Sequence, residues 1–103
     1  MAVTRGEVWT VSGGVYASKP RAAIIVRSDQ FDYLGSVTLV PCTTDVTEAP
    51  LLRLSLRPSL GNGLRSDCRA MIDKITTVPR ANLGVRIGAL PEEDIATIGA
   101  VGH

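Results

Sequence analysis

Short segments of strand length, separated by glycine, proline and polar turn residues, constrain the fold of this chain more than any other feature. The segment Glu7–Val11 alternates polar and apolar residues, which is typical of a half-buried strand. Further strands are predicted at residues 22–26, at 37–40 where Pro41 ends the run, at 52–56, at 66–78 as one bent strand or two, and at 85–88. Many short strands with little helix predict a mostly β chain, folded as a small, strongly curved sheet or barrel.

One short helix is predicted at the C-terminus. Residues 91–94 place a proline and three acids in a first helical turn, which the preset φ of proline and the helix dipole both favour. Ile95, Ile98 and Val101 then form a partial apolar stripe. We therefore expect a short helix after the last strand.

The size and composition of the chain indicate a single globular domain over residues 1–103. The hydrophobic fraction is 45% and the formal net charge is +1, a combination that excludes an intrinsically disordered chain. No apolar run approaches the roughly 20 residues that span a bilayer. The N-terminus lacks the hydrophobic stretch of a signal peptide, so we expect a cytoplasmic protein with no membrane contact.

The inventory of reactive side chains excludes several kinds of active site. The only histidine is the terminal His103, and a chain end cannot hold a catalytic base in a defined position. Cys42 and Cys68 have no metal-ligand partners at suitable spacing, so they are expected to pack as small apolar residues. Neither a metal site nor a cofactor site is predicted. Any chemistry must come from arginine, threonine, serine and the acidic residues.

Two polar segments at strand ends are candidate phosphate-binding sites. Lys19, Pro20 and Arg21 directly precede a buried strand, where two cations could hold a phosphate. Thr43 and Thr44 follow another strand, and their hydroxyls could donate to a phosphate oxygen. The residues alone also permit a simpler interpretation, in which both segments are ordinary solvated turns.

The same segments resemble the MazF/PemK family of toxin endoribonucleases. The resemblance covers essentially the whole chain, in order and in spacing. It is carried by RGEVW at residues 5–9, KPRAAIIV at 19–26, VPCTT at 40–44 and MIDKITTVPR at 71–80. It implies a small SH3-like barrel of the CcdB/PemK type with a short C-terminal helix, assembled as a homodimer, with single-stranded RNA as substrate and an antitoxin protein as partner.

The resemblance also implies which residues act on the RNA. The family's catalytic arginine falls on Arg21 and its threonine on Thr43, with Thr44 as the near alternative; Asp73 matches an aspartate that contributes in some members. The candidate RNA-binding residues are Tyr16, Lys19, Arg69 and Lys74. The chain departs from the family pattern at Ala22, where proline is usual.

The residue inventory agrees with a reaction in which RNA supplies its own nucleophile, the 2′-hydroxyl. The protein must then orient that hydroxyl and stabilise charge on the phosphorane oxygens, without a metal. Arg21 is suited to holding the phosphate, and Thr43 is suited to donating a hydrogen bond to a phosphate oxygen. The identity of the general base stays open, because arginine is a poor base. Trp9 and Tyr16 are conceivable stacking platforms; Trp9, on an alternating strand, is expected in the core, which leaves Tyr16 as the exposed candidate.

Two other functions stay open at this point. One is a CcdB-like protein that poisons DNA gyrase and has no nuclease activity. The other is an inactive barrel that only binds an antitoxin.

Overall fold

Seven strands in the described part of the chain form one curled sheet. The computed structural model describes residues 3–12, 21–28, 35–43 and 53–101. The strands are β1 (Glu7–Val11), β2 (Arg21–Ser28), β3 (Ser36–Thr43), β4 (Arg53–Leu56), β5 (Cys68–Met71), β6 (Thr76–Pro79) and β7 (Leu83–Ala89). They lie in the order β4-β5-β3-β2-β1-β7, and β6 also pairs with β3. All these pairings are antiparallel. The predicted mostly β, curved-sheet fold is confirmed.

The predicted C-terminal helix is present as α1 (Glu92–Val101). It begins directly after Pro91 and carries three acidic residues in its first turn, where the partial positive charge of the helix N-terminus stabilises them. None of the helices in the described ranges is both long and apolar enough to cross a membrane.

The prediction that Pro41 ends the third strand is wrong. β3 continues through Pro41, which is buried, to Thr43. The reason lies on the side of β3 that pairs with β5 and β6. The β6 ladder covers β3 from Ser36 to Leu39, the β5 ladder resumes at Cys42, and neither ladder pairs with Pro41. A proline, which has no N–H to donate, is tolerated where a ladder is interrupted.

A single turn of 3₁₀-helix, Ile72–Lys74, causes that interruption. Cys42 pairs with Ala70 on one side of it, and Leu39 pairs with Thr76 on the other. Between these two pairs lie two residues of β3 and five of the partner segment, and the three additional residues form the turn. The long predicted strand at 66–78 is accordingly two strands, β5 and β6.

The two faces of the sheet carry separate apolar clusters, because successive residues of a strand point to opposite faces. On β2, Ile24 belongs to the cluster that also contains Ile98 of α1, whereas Ile25 belongs to the cluster that contains Trp9. Both isoleucines are 1% exposed. Full burial of such a side chain contributes about 1.5–3 kcal/mol, so these clusters hold β2 and β3 in a defined position. Trp9 is buried as expected, so it is not a stacking platform for RNA.

A tight loop after β4 is held by one buried asparagine. Asn62 accepts hydrogen bonds from the backbone N–H groups of Ser59 and Leu64 through Oδ1, and its Nδ2 donates to the carbonyl of Arg57. Gly63 follows with a φ of +69°, and a Cβ there would collide with the carbonyl oxygen of Ile87. The turn predicted from the Gly-Asn-Gly sequence therefore exists, and the asparagine side chain holds it together.

Candidate active site

Four residues on four adjacent strands form one row across an end of the sheet. The β2–β3 register, continued by two residues beyond its last pair, brings Arg21 opposite Thr43. Thr43 in turn pairs with Arg69 on β5, and Arg69 pairs with Ser55 on β4. Directly opposed residues of antiparallel strands point to the same face. The row, in order across the sheet, is Arg21, Thr43, Arg69 and Ser55.

The row continues the face that carries the Trp9 cluster. On β2 and β3 the odd-numbered residues Ala23, Ile25, Val37 and Leu39 belong to that cluster. Arg21 and Thr43 stand at odd-numbered positions where the apolar residues end. A polar row thus begins where the apolar face stops, and the packed residues behind it hold the strands that carry it.

Backbone spacing sets the scale of the row. Neighbouring strands lie about 4.8 Å apart, so Arg21 and Arg69 flank Thr43 at about one strand spacing each. Arg21 and Arg69 are half-buried, and Thr43 is 4% exposed. Two arginines therefore flank one threonine, with their backbones two strand spacings, or roughly 10 Å, apart.

A cleft opens beside Thr43 at the β4–β5 side of the row. Its volume is about 290 Å³. The residues that line it include positive, negative, hydroxyl-bearing and apolar types. They are Thr43, Ser55, Leu56, Arg57, Asp67, Cys68 and Arg69.

Asp73 and Lys74 lie on the 3₁₀ turn, beside the row and not in it. Both side chains are exposed. The turn is matched to the part of β3 between Leu39 and Cys42, so both residues stand next to the stretch of β3 that leads to Thr43. The ladder registers do not pair either of them with Thr43.

Three of the predicted site residues, Thr44, Tyr16 and Lys19, lie outside the described residues. Two of them are close in sequence to a described strand end. Thr44 follows Thr43, and Lys19 precedes Arg21 by two residues.

The two cysteines pack together behind the row. Cys42 and Cys68 are both buried, in the same apolar cluster, as the sequence predicts. A hydrogen bond between the thiols raises the pKa of Cys42, and burial raises it further. The same hydrogen bond lowers the pKa of Cys68, although burial and the nearby Asp67 carboxylate oppose it. Their proximity is a product of the β3–β5 pairing, because 25 residues separate them in the sequence.

Within the described ranges, no three or more histidine, cysteine, aspartate or glutamate side chains are grouped so that they could hold a metal ion.

Residues 4–101 match the PemK-like, MazF-like toxins of type II toxin–antitoxin systems. The chain belongs to this family of toxins. Over 92 residues it is 47% identical to a probable endoribonuclease MazF of Mycolicibacterium smegmatis, covering 88% of this chain and 84% of that protein. It is also 26% identical over 104 residues to endoribonuclease MazF9 of Mycobacterium tuberculosis, covering 91% and 87% of the two chains.

Solved structures of MazF proteins have the same fold. The Mycobacterium tuberculosis toxin MazF-mt6 aligns with a TM-score of 0.67 at 20% identity, over 93% of this chain and 91% of that one. A mycobacterial endoribonuclease in complex with its cognate antitoxin aligns with a TM-score of 0.70 at 22% identity, over 98% and 94%. The curled sheet with its C-terminal helix is therefore the fold of MazF toxins.

Sequence reasoning missed the three cleft residues Ser55, Arg57 and Asp67. In the sequence, Ser55 is one polar residue of an alternating strand, and Arg57 and Asp67 are charged residues near turns. No sequence pattern links any of them to Thr43. Only the β3–β5–β4 pairing brings these separate segments together. Strand alternation at residues 53–56 could have placed Ser55 on one face, but it could not have named its neighbours.

Proposed function

We propose that this MazF-like toxin is an endoribonuclease that cleaves single-stranded RNA at short sequences without a metal ion. The observation that carries the proposal is the β2–β3 register, which pairs Ala23 with Pro41 and whose continuation by two residues brings Arg21 opposite Thr43. The resemblance of the sequence selects these two residues, and they are 22 positions apart in the chain. The endoribonuclease names of the two curated relatives support the same activity.

In the proposed reaction the RNA supplies the nucleophile. The 2′-oxygen attacks the adjacent phosphorus, the bond between phosphorus and the 5′-oxygen breaks, and a 2′,3′-cyclic phosphate and a 5′-hydroxyl are formed. The proton of the 2′-hydroxyl passes to solvent or to a protein base, and the leaving oxygen takes a proton from Arg21 or from water. The Arg21 guanidinium stabilises the charge on the non-bridging oxygens, and the Thr43 hydroxyl donates a hydrogen bond to one of them.

The positions of the arginines in the row are consistent with these proposed roles. Arginine presents a planar fork that pairs with two phosphate oxygens at once, and its half-buried position on β2 restricts the rotation of the side chain. Arg69 on the other side of Thr43 adds a second positive charge. Preorganised donors of this kind act without reorganisation when charge develops on the phosphate.

The remaining candidate residues help to position the RNA strand in the proposal. Asp73 and Lys74 do so from the exposed 3₁₀ turn. Tyr16 stacks on a base, and Lys19 attracts the RNA through its positive charge. Thr44 is the alternative to Thr43. Single strands are the required substrate because the bases must be accessible and the 2′-hydroxyl must reach the in-line position.

The proposal includes partners and location. We propose that the toxin acts in the cytoplasm as a homodimer and that a cognate antitoxin protein masks the RNA-binding face. The structural similarity to an endoribonuclease that was solved with its cognate antitoxin supports the antitoxin partner.

Cleavage by matched arginine variants tests the proposal. Arg21→Ala should lower the cleavage rate by about two to three orders of magnitude, because the loss of one preorganised donor costs roughly 3–4 kcal/mol. Arg27→Ala is the matched control: it removes an exposed arginine from the same strand, six residues further on and hence about 20 Å away. A long single-stranded RNA is incubated with each protein in EDTA, and the ends of the fragments are analysed.

Cyclic phosphate ends, produced by the wild type and by Arg27→Ala but not by Arg21→Ala, support the proposal. Equal cleavage by Arg21→Ala and wild type contradicts the role of Arg21. Intact RNA together with stalled DNA gyrase would indicate the gyrase poison, and intact RNA with unaffected gyrase the inactive barrel.

A further inference from the structure

The cleft beside Thr43 is lined by charged residues that the proposed cleavage reaction does not use. Arg57 and Asp67 are exposed and line it, yet neither belongs to the row that contains Arg21. Arg69 belongs to both the row and the cleft, and Thr43 forms part of the cleft wall. The cleft is thus a direct extension of the proposed cleavage site.

The size and charge of the cleft match one nucleotide. Its volume of about 290 Å³ lies just below the range of roughly 300–1,000 Å³ seen for small-molecule sites. Two guanidinium groups and one carboxylate leave a net positive charge, which favours a phosphate. The lining residues Leu56 and Cys68 are buried in the core cluster on the other face of the sheet, so they fix the strands that carry the polar residues of the cleft.

A buried side chain of the same loop fixes the backbone of Arg57. The Arg57 carbonyl accepts a hydrogen bond from Asn62 Nδ2 at 2.8 Å, so the backbone of Arg57 is tied to a buried side chain. The exposed guanidinium therefore extends from a defined backbone position, which is what a recognition residue requires.

We propose that this cleft binds the nucleotide next to the scissile phosphate, with its phosphate between Arg57 and Arg69 and its base, which carries an exocyclic amino group, against Asp67. The inference rests on the proposed ribonuclease function, since it assigns Arg21 and Thr43 to the scissile phosphate. An ionised carboxylate can only accept hydrogen bonds. It pairs with the exocyclic amino group of cytosine, adenine or guanine, a group that uracil lacks.

Binding of a non-cleavable oligonucleotide tests the phosphate contact. The probe is a fluorescein-labelled nine-residue 2′-O-methyl oligouridine with one central cytidine, and its affinity is measured by fluorescence anisotropy at several salt concentrations. For a single strand, the slope of log K against log salt changes by about 0.7 per phosphate contact. Arg57→Gln should make the slope shallower by about that amount, whereas Arg27→Gln should leave it unchanged. An unchanged slope in Arg57→Gln overturns the phosphate contact.

A matched pair of bases tests the contact with Asp67. Cytosine and uracil have the same size and differ on this edge by an amino group against a carbonyl. Wild type should bind the probe with central cytidine at least about fivefold more tightly than the all-uridine probe, as expected for a hydrogen bond to a charged group. Asp67→Asn should reduce that ratio to within about twofold. Equal binding of both probes by wild type, or an undiminished ratio in Asp67→Asn, overturns the assignment.

The two proposals can fail separately. Neither probe can be cleaved, so the binding result does not depend on catalysis. Arg21-dependent cleavage combined with unchanged binding by both cleft variants refutes the nucleotide subsite alone. The expected binding pattern without any RNA cleavage refutes the ribonuclease function alone.

Discussion

Removal of the Asn62 side chain should destabilise the protein strongly, although Asn62 lies outside the row that contains Arg21. Asn62 is 5% exposed and makes three side-chain hydrogen bonds: two accepted by Oδ1, from Ser59 N and Leu64 N at 3.0 Å each, and one donated to Arg57 O at 2.8 Å. Asn62→Ala removes all three and leaves three partly buried backbone groups without these partners.

The expected loss of unfolding free energy follows from these bonds. Each hydrogen bond contributes about 0.5–1.5 kcal/mol net, and a buried group left unsatisfied costs about 1–3 kcal/mol. We therefore expect Asn62→Ala to lower the free energy of unfolding by about 2–4 kcal/mol. A domain of this kind is stable by about 5–15 kcal/mol, so the variant should still fold.

Urea unfolding followed by circular dichroism measures this loss. With a slope of about 2 kcal/mol per molar urea, the midpoint should fall by about 1–2 M. All variants are compared at one protein concentration, because self-association would shift the apparent stability.

Two further variants separate the bonds. Ser59→Ala removes only the Oγ acceptor of the Asn62 N–H, so its midpoint should fall by about 0.5 M. Asn62→Asp keeps an oxygen that accepts and loses the Nδ2 donor, so it should fall between wild type and Asn62→Ala. If Asn62→Ala unfolds within about 0.5 kcal/mol of wild type, the reasoning that this side chain holds the loop is wrong.

The other predictions concern stability at two further places. Burial opposes ionisation of Glu7, but hydrogen bonds from Thr4 N–H, Arg86 and the Trp9 indole, with the charge of Arg86, outweigh it and lower its pKa. The ionised form therefore stabilises the fold at neutral pH, and this contribution is lost as the pH falls through the lowered pKa. The difference in unfolding free energy between wild type and Glu7→Gln should accordingly narrow as the pH falls below 4.5, the ordinary pKa of glutamate, and a difference that stays constant would contradict it. At Gly63 a Cβ meets Ile87 and φ is positive, so Gly63→Ala should cost more than about 2 kcal/mol in urea unfolding. Gly61→Ala, whose Cβ has no neighbour closer than 3.9 Å, should cost less than about 1 kcal/mol, and equal losses would refute the argument.

Much of the secondary structure could be predicted from local sequence. The alternation at Glu7–Val11 predicts β1, and the proline with three acids predicts the start of α1. The error at Pro41 shows the limit of this reasoning. Whether a proline ends a strand depends on whether its missing N–H is needed, and that depends on a neighbouring strand more than 25 residues away.

The candidate site also has some residues that the sequence predicts and others that only the fold brings in. The sequence resemblance selects Arg21 and Thr43 because their segments have characteristic residues and spacing. Asp73 and Lys74 are further candidates from the sequence, and the 3₁₀ turn that carries them is three additional residues in a ladder, which no local pattern indicates.

The amino-acid sequence by itself determined most of the strands, the C-terminal helix, the reactive groups available and the family to which the toxin belongs, because these depend on residue type and short-range spacing. The tertiary structure alone decided that Ser55, Arg57 and Asp67 stand beside Thr43. The physical reason is that register between strands is set by how complete apolar faces pack together. That packing involves every segment of the sheet at once.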